Sequence, residues 1–227
     1  MGADDDRRRM VQDQLRDRGI GDERVLAAMG DLPRELFLGA SRQGRAYADE
    51  AVPIDAGQTI SQPWVVARMT ELLAPQPGDR VLELGTGSGY QAAILAALGA
   101  DVTSLERHAV LADAARERID RLDLPGRVTI RTTDGSLGDR GGAPWDGIIV
   151  TAAAPSIPDE LRDQLADGGR LVIPVGPRDH QTLTLVVRRG NDWHETPHGA
   201  VVFVPLIGEG GFSEDAPSRE PGWRRWF

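Results

Sequence analysis

The first third of the chain carries its apolar residues at the spacing of helices. A short helix is predicted for MVQDQLRDRG, ending at Gly19, because glycine commonly follows the last turn of a helix. A second helix is predicted for DERVLAAMGDLP, stopping before Pro33, and a third for WVVARMTELL with Pro63 in its first turn. We therefore expect residues 10–75 to form a helical N-terminal portion.

From residue 80 onwards the pattern changes to short apolar runs that alternate with segments of helical character. The runs, rich in β-branched residues, are RVLEL, DVTSLE, RVTIRTT, WDGIIV and GGRLVIPV. Alternation of this kind predicts βαβ units, and hence an α/β fold with a mostly parallel sheet. After residue 181, two further runs flank Gly190-Asn191-Asp192, which predicts an antiparallel hairpin at the C-terminal edge of the sheet.

These patterns predict a single domain over residues 10–212. We expect residues 1–9, which are acidic and then basic, to be a flexible leader. Residues 213–227 form a C-terminal tail that is polar at first and ends in WRRWF. Because a large ring contributes roughly 1.5–3 kcal/mol when it is buried, we expect this aromatic end to dock near the hairpin of residues 182–206.

Composition removes several classes of chemistry. The chain has no cysteine and no lysine, so all 26 basic residues are arginine. Disulfides, thiolate nucleophiles, cysteine-ligated metals, Schiff bases and the phosphate-binding loop with an essential lysine are therefore excluded. His194 and His198 have a spacing that could bind a metal on a helix, but Pro197 lies between them. We expect no metal site.

The charge and the hydropathy pattern bear on partners and location. A formal net charge of −9 argues against sequence-independent binding to the phosphates of nucleic acids, because such binding needs a basic surface. No apolar run approaches the ~18–20 residues that span a bilayer, and no apolar segment follows the first residues as in a secretory signal. We therefore expect a cytoplasmic monomer with neither nucleic-acid nor membrane partners.

A glycine-rich turn indicates a cofactor site. The predicted strand Val81–Leu84 runs directly into Gly85-Thr86-Gly87-Ser88-Gly89, and a predicted helix follows. Glycines allow the chain to turn sharply there and let a ligand approach the backbone at Gly85, Gly87 and Gly89. Glu106 ends the next predicted strand, 21 residues after Gly85, which is the place of an acid that binds ribose.

The details of this turn favour S-adenosylmethionine over a dinucleotide. The spacing is G-x-G-x-G and not the G-x-G-x-x-G that binds a pyrophosphate. Glu83, inside the strand, suits the cationic amino-acid end of S-adenosylmethionine, and Asp134-Gly135 after the third strand can face the adenine. From these residues alone, a purely structural turn and an NAD-dependent dehydrogenase both remain open.

Five segments together resemble the protein-L-isoaspartate (D-aspartate) O-methyltransferase family. They are GQTISQPWVVARM (57–69), VLELGTGSGYQAAILA (81–96), WDGIIVTAAAP (145–155), GGRLVIPVG (168–176) and VVFVPLIGEGGF (201–212). The resemblance covers about Met10 to Phe212, and TISQP with FVPL is more specific than the glycine turn. It implies a class I, Rossmann-like methyltransferase dependent on S-adenosylmethionine.

The resemblance also implies a reaction and a set of site residues. The family methylates the free carboxylate of L-isoaspartyl residues in damaged proteins and peptides, and so starts their repair through a succinimide. By resemblance, Ser61 is the active-site serine. The implied cofactor contacts are Thr59, Ile60, Ser61, Gly85, Gly87, Glu106, Asp134 and Gly135. The glycine turn adds Glu83 and Gly89 to this predicted cofactor site. The implied peptide contacts are Val52, Pro53, Ile54, Phe203, Val204, Pro205 and Leu206.

Other interpretations stay open at this point. Ser61 precedes the helix that starts at Pro63, and serine is a common helix cap. A related methyltransferase could modify an ordinary aspartate in a ribosomally made peptide, with the aromatic tail as its recognition device. A non-catalytic adaptor that only binds the cofactor is the third alternative.

Overall fold

The structure is a computed structural model that describes residues 2–214. Its N-terminal part is built of helices and one small antiparallel sheet. The main elements are α1 (Ala3–Arg9), α2 (Glu23–Asp31), β1 (Val52–Pro53), β2 (Thr59–Ile60) and α3 (Pro63–Leu73). Shorter helical turns lie at Met10–Leu15, Arg16–Arg18, Arg34–Phe37, Ala40–Arg45 and Asp55–Gly57. The helix that follows the first apolar pattern ends at Gly19 with φ = 89°, as the sequence predicts.

The start of the chain differs from the expected flexible leader. Residues Ala3–Arg9 form α1, which continues directly into the turn Met10–Leu15. Three aspartates stand in the first turn of α1 and three arginines in its last, which complements the helix dipole. Arg7 and Arg8 also pair with aspartates three residues earlier, and such pairs stabilise short helices. The order of charges, which suggested a loose leader, here supports a helix.

Seven strands form the central sheet, with three further helices packed on it. The strands are β3 (Arg80–Leu84), β4 (Asp101–Glu106), β5 (Val128–Thr132), β6 (Trp145–Val150), β7 (Leu165–Val175), β8 (Gln181–Arg189) and β9 (Asp192–Val201). The helices are α4 (Tyr90–Ala97), α5 (Ala109–Ile119) and α6 (Asp159–Asp163). The spatial order is β5-β4-β3-β6-β7-β8-β9. The strands β3 to β7 are parallel, and β8 and β9 run antiparallel. The predicted fold class is confirmed.

The direction in which successive strands are added reverses at β3. From β3 the chain first adds β4 and β5 on one side, and then returns to add β6 on the other side. The carboxyl ends of β3 and β6 therefore border a crevice, which is where open α/β sheets bind ligands. The position of the site thus follows from the topology of the sheet.

Each face of the sheet packs on its own apolar layer. Val81 of β3 belongs to the layer that contains α3 and α4, whereas Leu82 and Leu84 belong to the opposite layer. Since side chains alternate along a strand, Glu83 points to the same side as Val81. A carboxylate is therefore enclosed in a mainly apolar layer.

Two expectations concern the rest of the chain. Among residues 2–214, no helix is both long and apolar enough to cross a bilayer. The predicted docking of the aromatic end falls on residues 223–227, which lie outside the described residues.

Candidate active site

A cavity lies at the carboxyl ends of β3, β4 and β6, at the crevice where the strand order reverses. Eight of the ten predicted cofactor residues line it: Thr59, Ile60, Ser61, Gly85, Gly87, Glu106, Asp134 and Gly135. Three predicted peptide residues line it too: Val204, Pro205 and Leu206. Segments distant in sequence therefore meet around one cavity.

The glycine turn has a backbone that other residues adopt only with strain. Gly85 has φ = 96°, Gly87 has φ = 53° and Gly89 has φ = 89°. A Cβ on Gly85 would stand 2.5 Å from the Oγ1 of Thr151, whereas one on Gly87 would only be in ordinary contact with the Cδ1 of Ile54, at 3.8 Å. The open space beside Gly87 suits a ligand that lies against the backbone.

Gly89 has a packing role that the sequence did not predict. It does not line the cavity; a Cβ there would lie 3.1 Å from the Cβ of Ala115 on α5. The third glycine therefore allows α5 to pack closely against the start of α4. Its contact with the cofactor stays a prediction, because the G-x-G-x-G pattern alone does not tell a ligand contact from a helix contact.

Glu106 is held in a fixed orientation at the cavity wall. Its Oε2 accepts a hydrogen bond from the N–H of Gly87, and its Oε1 accepts one from the N–H of His108, both at 2.9 Å. The side chain is almost fully buried. A carboxylate has about four acceptor positions, so each oxygen can still receive a hydroxyl of a ribose.

The loop after β5 forms the opposite wall. The Oδ1 of Asp134 accepts a hydrogen bond from the N–H of Ser136 at 2.9 Å, so the loop is closed on itself. The C-terminal segment lies over it, because a Cβ on Gly208 would come within 2.4 Å of that same Oδ1. Gly135 fits directly against Leu105, with 2.7 Å between their Cβ positions.

Glu83 does not line the cavity, so its contact with the cofactor stays a prediction. The side chain is fully buried, and the hydroxyl of Ser104 donates to its Oε2. Ser104 in turn shares a hydrogen bond with Thr86, which lines the cavity. The Oε1 of Glu83 has no hydrogen-bond partner among the described residues. Burial raises the pKa of Glu83 to about 8, and the nearby charge of Glu106 adds to this.

A groove adjoins the cavity and shares part of its wall. Four residues line both: Thr59, Ser61, Thr151 and Val204. On the groove side, Arg18 pairs with Asp49 at 2.8 Å and its guanidinium lies 5.3 Å from the centre of the Trp64 ring. Phe203, predicted to contact the peptide, lines this groove. The cavity and the groove therefore communicate at Ser61.

Val52, Pro53 and Ile54 are not among the residues that line the cavity or the groove. Val52 and Pro53 form β1 and pair with Ile60 and Thr59 of β2, so they support the strand that carries cavity residues. The Cδ1 of Ile54 lies 3.8 Å from where a Cβ on Gly87 would stand. The contact of these three residues with the peptide stays a prediction.

Ser61 does not cap the helix that follows it. The N-cap of α3 is Gln62, and no side chain forms a cap hydrogen bond there. The carbonyl oxygen of Ser61 instead accepts a hydrogen bond from Arg34, at 2.7 Å. The half-buried Ser61 is thus held in place through its backbone carbonyl group.

Sequence reasoning missed Thr151 and Arg34. The Oγ1 of Thr151 donates to carbonyl oxygens of β3 and of the glycine turn, so the end of β6 is fastened to the turn. The signal was available, because Thr151 directly follows a predicted strand that ends at the crevice. Arg34 gave no such signal, since an arginine after a proline is ordinary on a protein surface.

A metal site would need several histidine or acid side chains together. Within residues 2–214 there is no group of three or more His, Asp or Glu side chains that could hold a metal ion. His194 and His198 both lie on β9. The cavity wall does include Arg107 and His108.

The fold and the cavity together define a class of protein. A glycine turn after the first parallel strand, an acid held at the end of the second, and a cavity at the crevice of a Rossmann-like sheet with an antiparallel edge are the features of methyltransferases that use S-adenosylmethionine. A family model, Protein-L-isoaspartate(D-aspartate) O-methyltransferase, matches residues 6–211. The chain belongs to this family.

Known proteins agree with this assignment. A protein-L-isoaspartate O-methyltransferase of Methanoculleus marisnigri is 53% identical over 91% of this chain and 94% of its own. A solved protein-L-isoaspartate O-methyltransferase has a TM-score of 0.78 at 25% identity, covering 90% of this chain and 66% of that one. A solved Plasmodium falciparum β-aspartate methyltransferase, in complex with S-adenosyl-L-homocysteine, has a TM-score of 0.73 at 27% identity, covering 87% and 96%. The predictions of family, fold and cofactor are confirmed.

Proposed function

We propose that this chain transfers the methyl group of S-adenosylmethionine to the free carboxylate of L-isoaspartyl residues, with Ser61 at the point of transfer. The observation that carries the proposal is the shared wall of Thr59, Ser61, Thr151 and Val204 between the cavity and the groove. A cofactor in the cavity and a peptide in the groove would meet at these four residues. Membership of the family supports the same reaction.

The chemistry needs little from the side chains besides placement. S-adenosylmethionine supplies an electrophilic methyl group on a sulfonium. The acceptor carboxylate is already ionised at pH 7, so an oxygen lone pair can form the new O–CH₃ bond without a general base. The protein contributes the orientation of the carboxylate and the removal of water from around it. The ester can then close to a succinimide, with methanol leaving, and hydrolysis of the succinimide yields normal aspartate in part.

The cavity residues fit the parts of the cofactor. Glu106 accepts the ribose hydroxyls, and the open backbone at Gly87 receives the amino-acid portion. Asp134 and Gly135 lie against the adenine. Glu83 acts from behind the wall, through Ser104 and Thr86.

The groove residues fit an extended peptide. One side consists of the exposed ion pair Arg18–Asp49 and the ring of Trp64; the other is apolar and contains Phe203. Val202, which is 53% exposed, lies at the same side. One chain supplies both the cavity and the groove, so the proposed reaction on proteins and peptides needs no second copy, and the form we propose is a cytoplasmic monomer.

The reaction is tested with a matched pair of peptides. Radiolabelled methyl from S-adenosylmethionine is expected to enter an isoaspartyl peptide and not the same peptide with normal aspartate. Base-labile release of the label as methanol identifies an ester. Equal labelling of both peptides would favour the enzyme that modifies ordinary aspartate, and labelling of neither would overturn the proposal.

Replacing Ser61 with alanine tests the point of transfer. We expect turnover of the isoaspartyl peptide to fall about 10- to 100-fold, because a hydrogen bond to a charged group is lost. Affinity for S-adenosylhomocysteine should stay within a few-fold, since the cavity keeps its other walls. The matched control is Ser156→Ala at an exposed serine, which should change neither quantity. A loss of stability in Ser61→Ala with full turnover would give Ser61 a structural role only.

A further inference from the structure

Arg34 is a buried cation that has no counter-ion among residues 2–214. It is fully buried, in the turn Arg34–Phe37. Its Nε donates to the carbonyl oxygen of Ala46 and its Nη2 to that of Ser61, both at 2.7 Å. The guanidinium also lies 4.8 Å from the centre of the Tyr90 ring. Its Nη1 has no hydrogen-bond partner among the described residues, and none of the ion pairs formed by those residues includes it.

A buried charge without a counter-ion lowers the stability of the folded protein. Removing an ion from water costs several kcal/mol unless an opposite charge compensates it. Burial lowers the pKa of Arg34 to about 10, so the guanidinium remains a cation at neutral pH. Carbonyl oxygens and an aromatic ring satisfy some of its donors, but they do not balance its charge.

The position of this cation relates it to the substrate. Arg34 donates to the carbonyl oxygen of Ser61, and Ser61 lines both the cavity and the groove. Tyr90, whose ring lies against the guanidinium, lines the cavity, and its hydroxyl is buried without a hydrogen-bond partner among the described residues. The unbalanced charge therefore lies one hydrogen bond away from the residue that we place at the point of transfer.

We propose that Arg34 is a positioning residue whose missing counter-ion is the substrate carboxylate, so that its buried charge selects an anionic acceptor at Ser61. This inference rests on the proposed function, since it takes the acceptor to be a carboxylate placed at Ser61. Arg34 orients Ser61 through the carbonyl and supplies the positive field in which the carboxylate is bound. Because Arg34 is fully buried, its attraction for the carboxylate is screened less than that of a surface charge.

The proposal determines which step Arg34 assists. During transfer the carboxylate oxygen forms a bond to the methyl carbon while the S–CH₃ pair returns to sulfur, so the acceptor loses its negative charge. The field of Arg34 therefore stabilises the bound substrate more than the transition state, and it does not retain the neutral ester. Arg34 should act on peptide affinity and on KM, and much less on kcat.

The test compares two peptides bound to the complex with S-adenosylhomocysteine, which cannot react. One contains isoaspartate, and the other carries an amide in place of its free carboxylate. For the unaltered protein we expect the carboxylate peptide to bind about tenfold more tightly or better. Arg34→Gln, which keeps donors but no charge, should reduce this ratio to near one, while Arg34→Lys should retain most of it. The affinity of the amide peptide should change little.

Controls separate a charge effect from a loss of structure. Arg170→Gln removes a half-buried arginine that also donates to a carbonyl oxygen, at Leu72, and should leave the ratio unchanged. An equal loss of affinity for both peptides in Arg34→Gln would overturn the proposal. That result would mean that Arg34 only holds the backbone of Ser61 in place, whatever the charge of the peptide. A ratio near one in the unaltered protein would overturn it too, and that measurement needs no variant to fold. The proposed function fails separately, if the unaltered enzyme does not label the isoaspartyl peptide.

Discussion

Gly85→Ala is expected to weaken binding of S-adenosylhomocysteine by on the order of 100-fold. The backbone at Gly85 has φ = 96°, a conformation that costs an L-residue roughly 1–2 kcal/mol. In addition, the new Cβ would stand 2.5 Å from the Oγ1 of Thr151, so the turn would have to move away from the cavity. Calorimetric titration of the cofactor product measures the effect directly.

The control for Gly85→Ala separates the effect of backbone strain from that of the contact between the new Cβ and Thr151. Gly168 has φ = 81°, and a Cβ added there would have no heavy atom within 4 Å. It lies near the amino end of β7, away from the cavity. Gly168→Ala should lower stability by a similar strain and leave the affinity for the cofactor unchanged. Adding Thr151→Ala to Gly85→Ala should restore part of the affinity; unaltered binding in Gly85→Ala itself would contradict the geometry.

Glu83→Gln is expected to flatten the dependence of stability on pH. Because the pKa of Glu83 is raised to about 8 in the folded protein, folding favours its protonated form. Its contribution to stability is fully present below the unfolded pKa of about 4.5 and is lost as the pH rises through 8. At ~1.4 kcal/mol per pKa unit, the unaltered protein loses up to a few kcal/mol over this window, and the glutamine variant does not.

Melting curves between pH 5 and pH 8.5 check this prediction. The difference in melting temperature, variant minus unaltered protein, should rise with pH by several degrees. Other ionisable groups cancel in that difference. Glu117→Gln, on the exposed surface of α5, removes a charge without exposing a buried site and should shift stability by less than about 0.5 kcal/mol. A difference that is flat with pH would mean that Glu83 remains ionised throughout.

Local patterns predicted the elements and the cavity well, for an identifiable physical reason. The strand before Gly85 runs directly into the glycine turn, and Glu106 stands at the end of the next strand along the chain. Parallel strands bring their carboxyl ends together. Any chain with this alternation places such residues at one crevice. The resemblance added Ser61, which no local pattern distinguishes from a helix cap.

What sequence reasoning missed depends on contacts between distant segments. Gly89 and Glu83 have the same local setting as the residues that line the cavity, but α5 and β4 occupy the space beside them. Arg34 is significant only because the segments that carry Ala46 and Ser61 turn their carbonyl oxygens towards it. No spacing in the sequence shows which face a side chain will meet once helices pack.

The shared wall between cavity and groove has a consequence for biosynthesis. Ser61 and Val204 are more than 140 positions apart in the chain, yet both line the passage between the two spaces. Contacts of such long range form late and together with the rest of the domain. A nascent chain on the ribosome that does not yet include Val204 has no complete groove. The same holds for a chain truncated before Val204. With the proposed site, methyl transfer to a peptide therefore requires synthesis to have passed Val204.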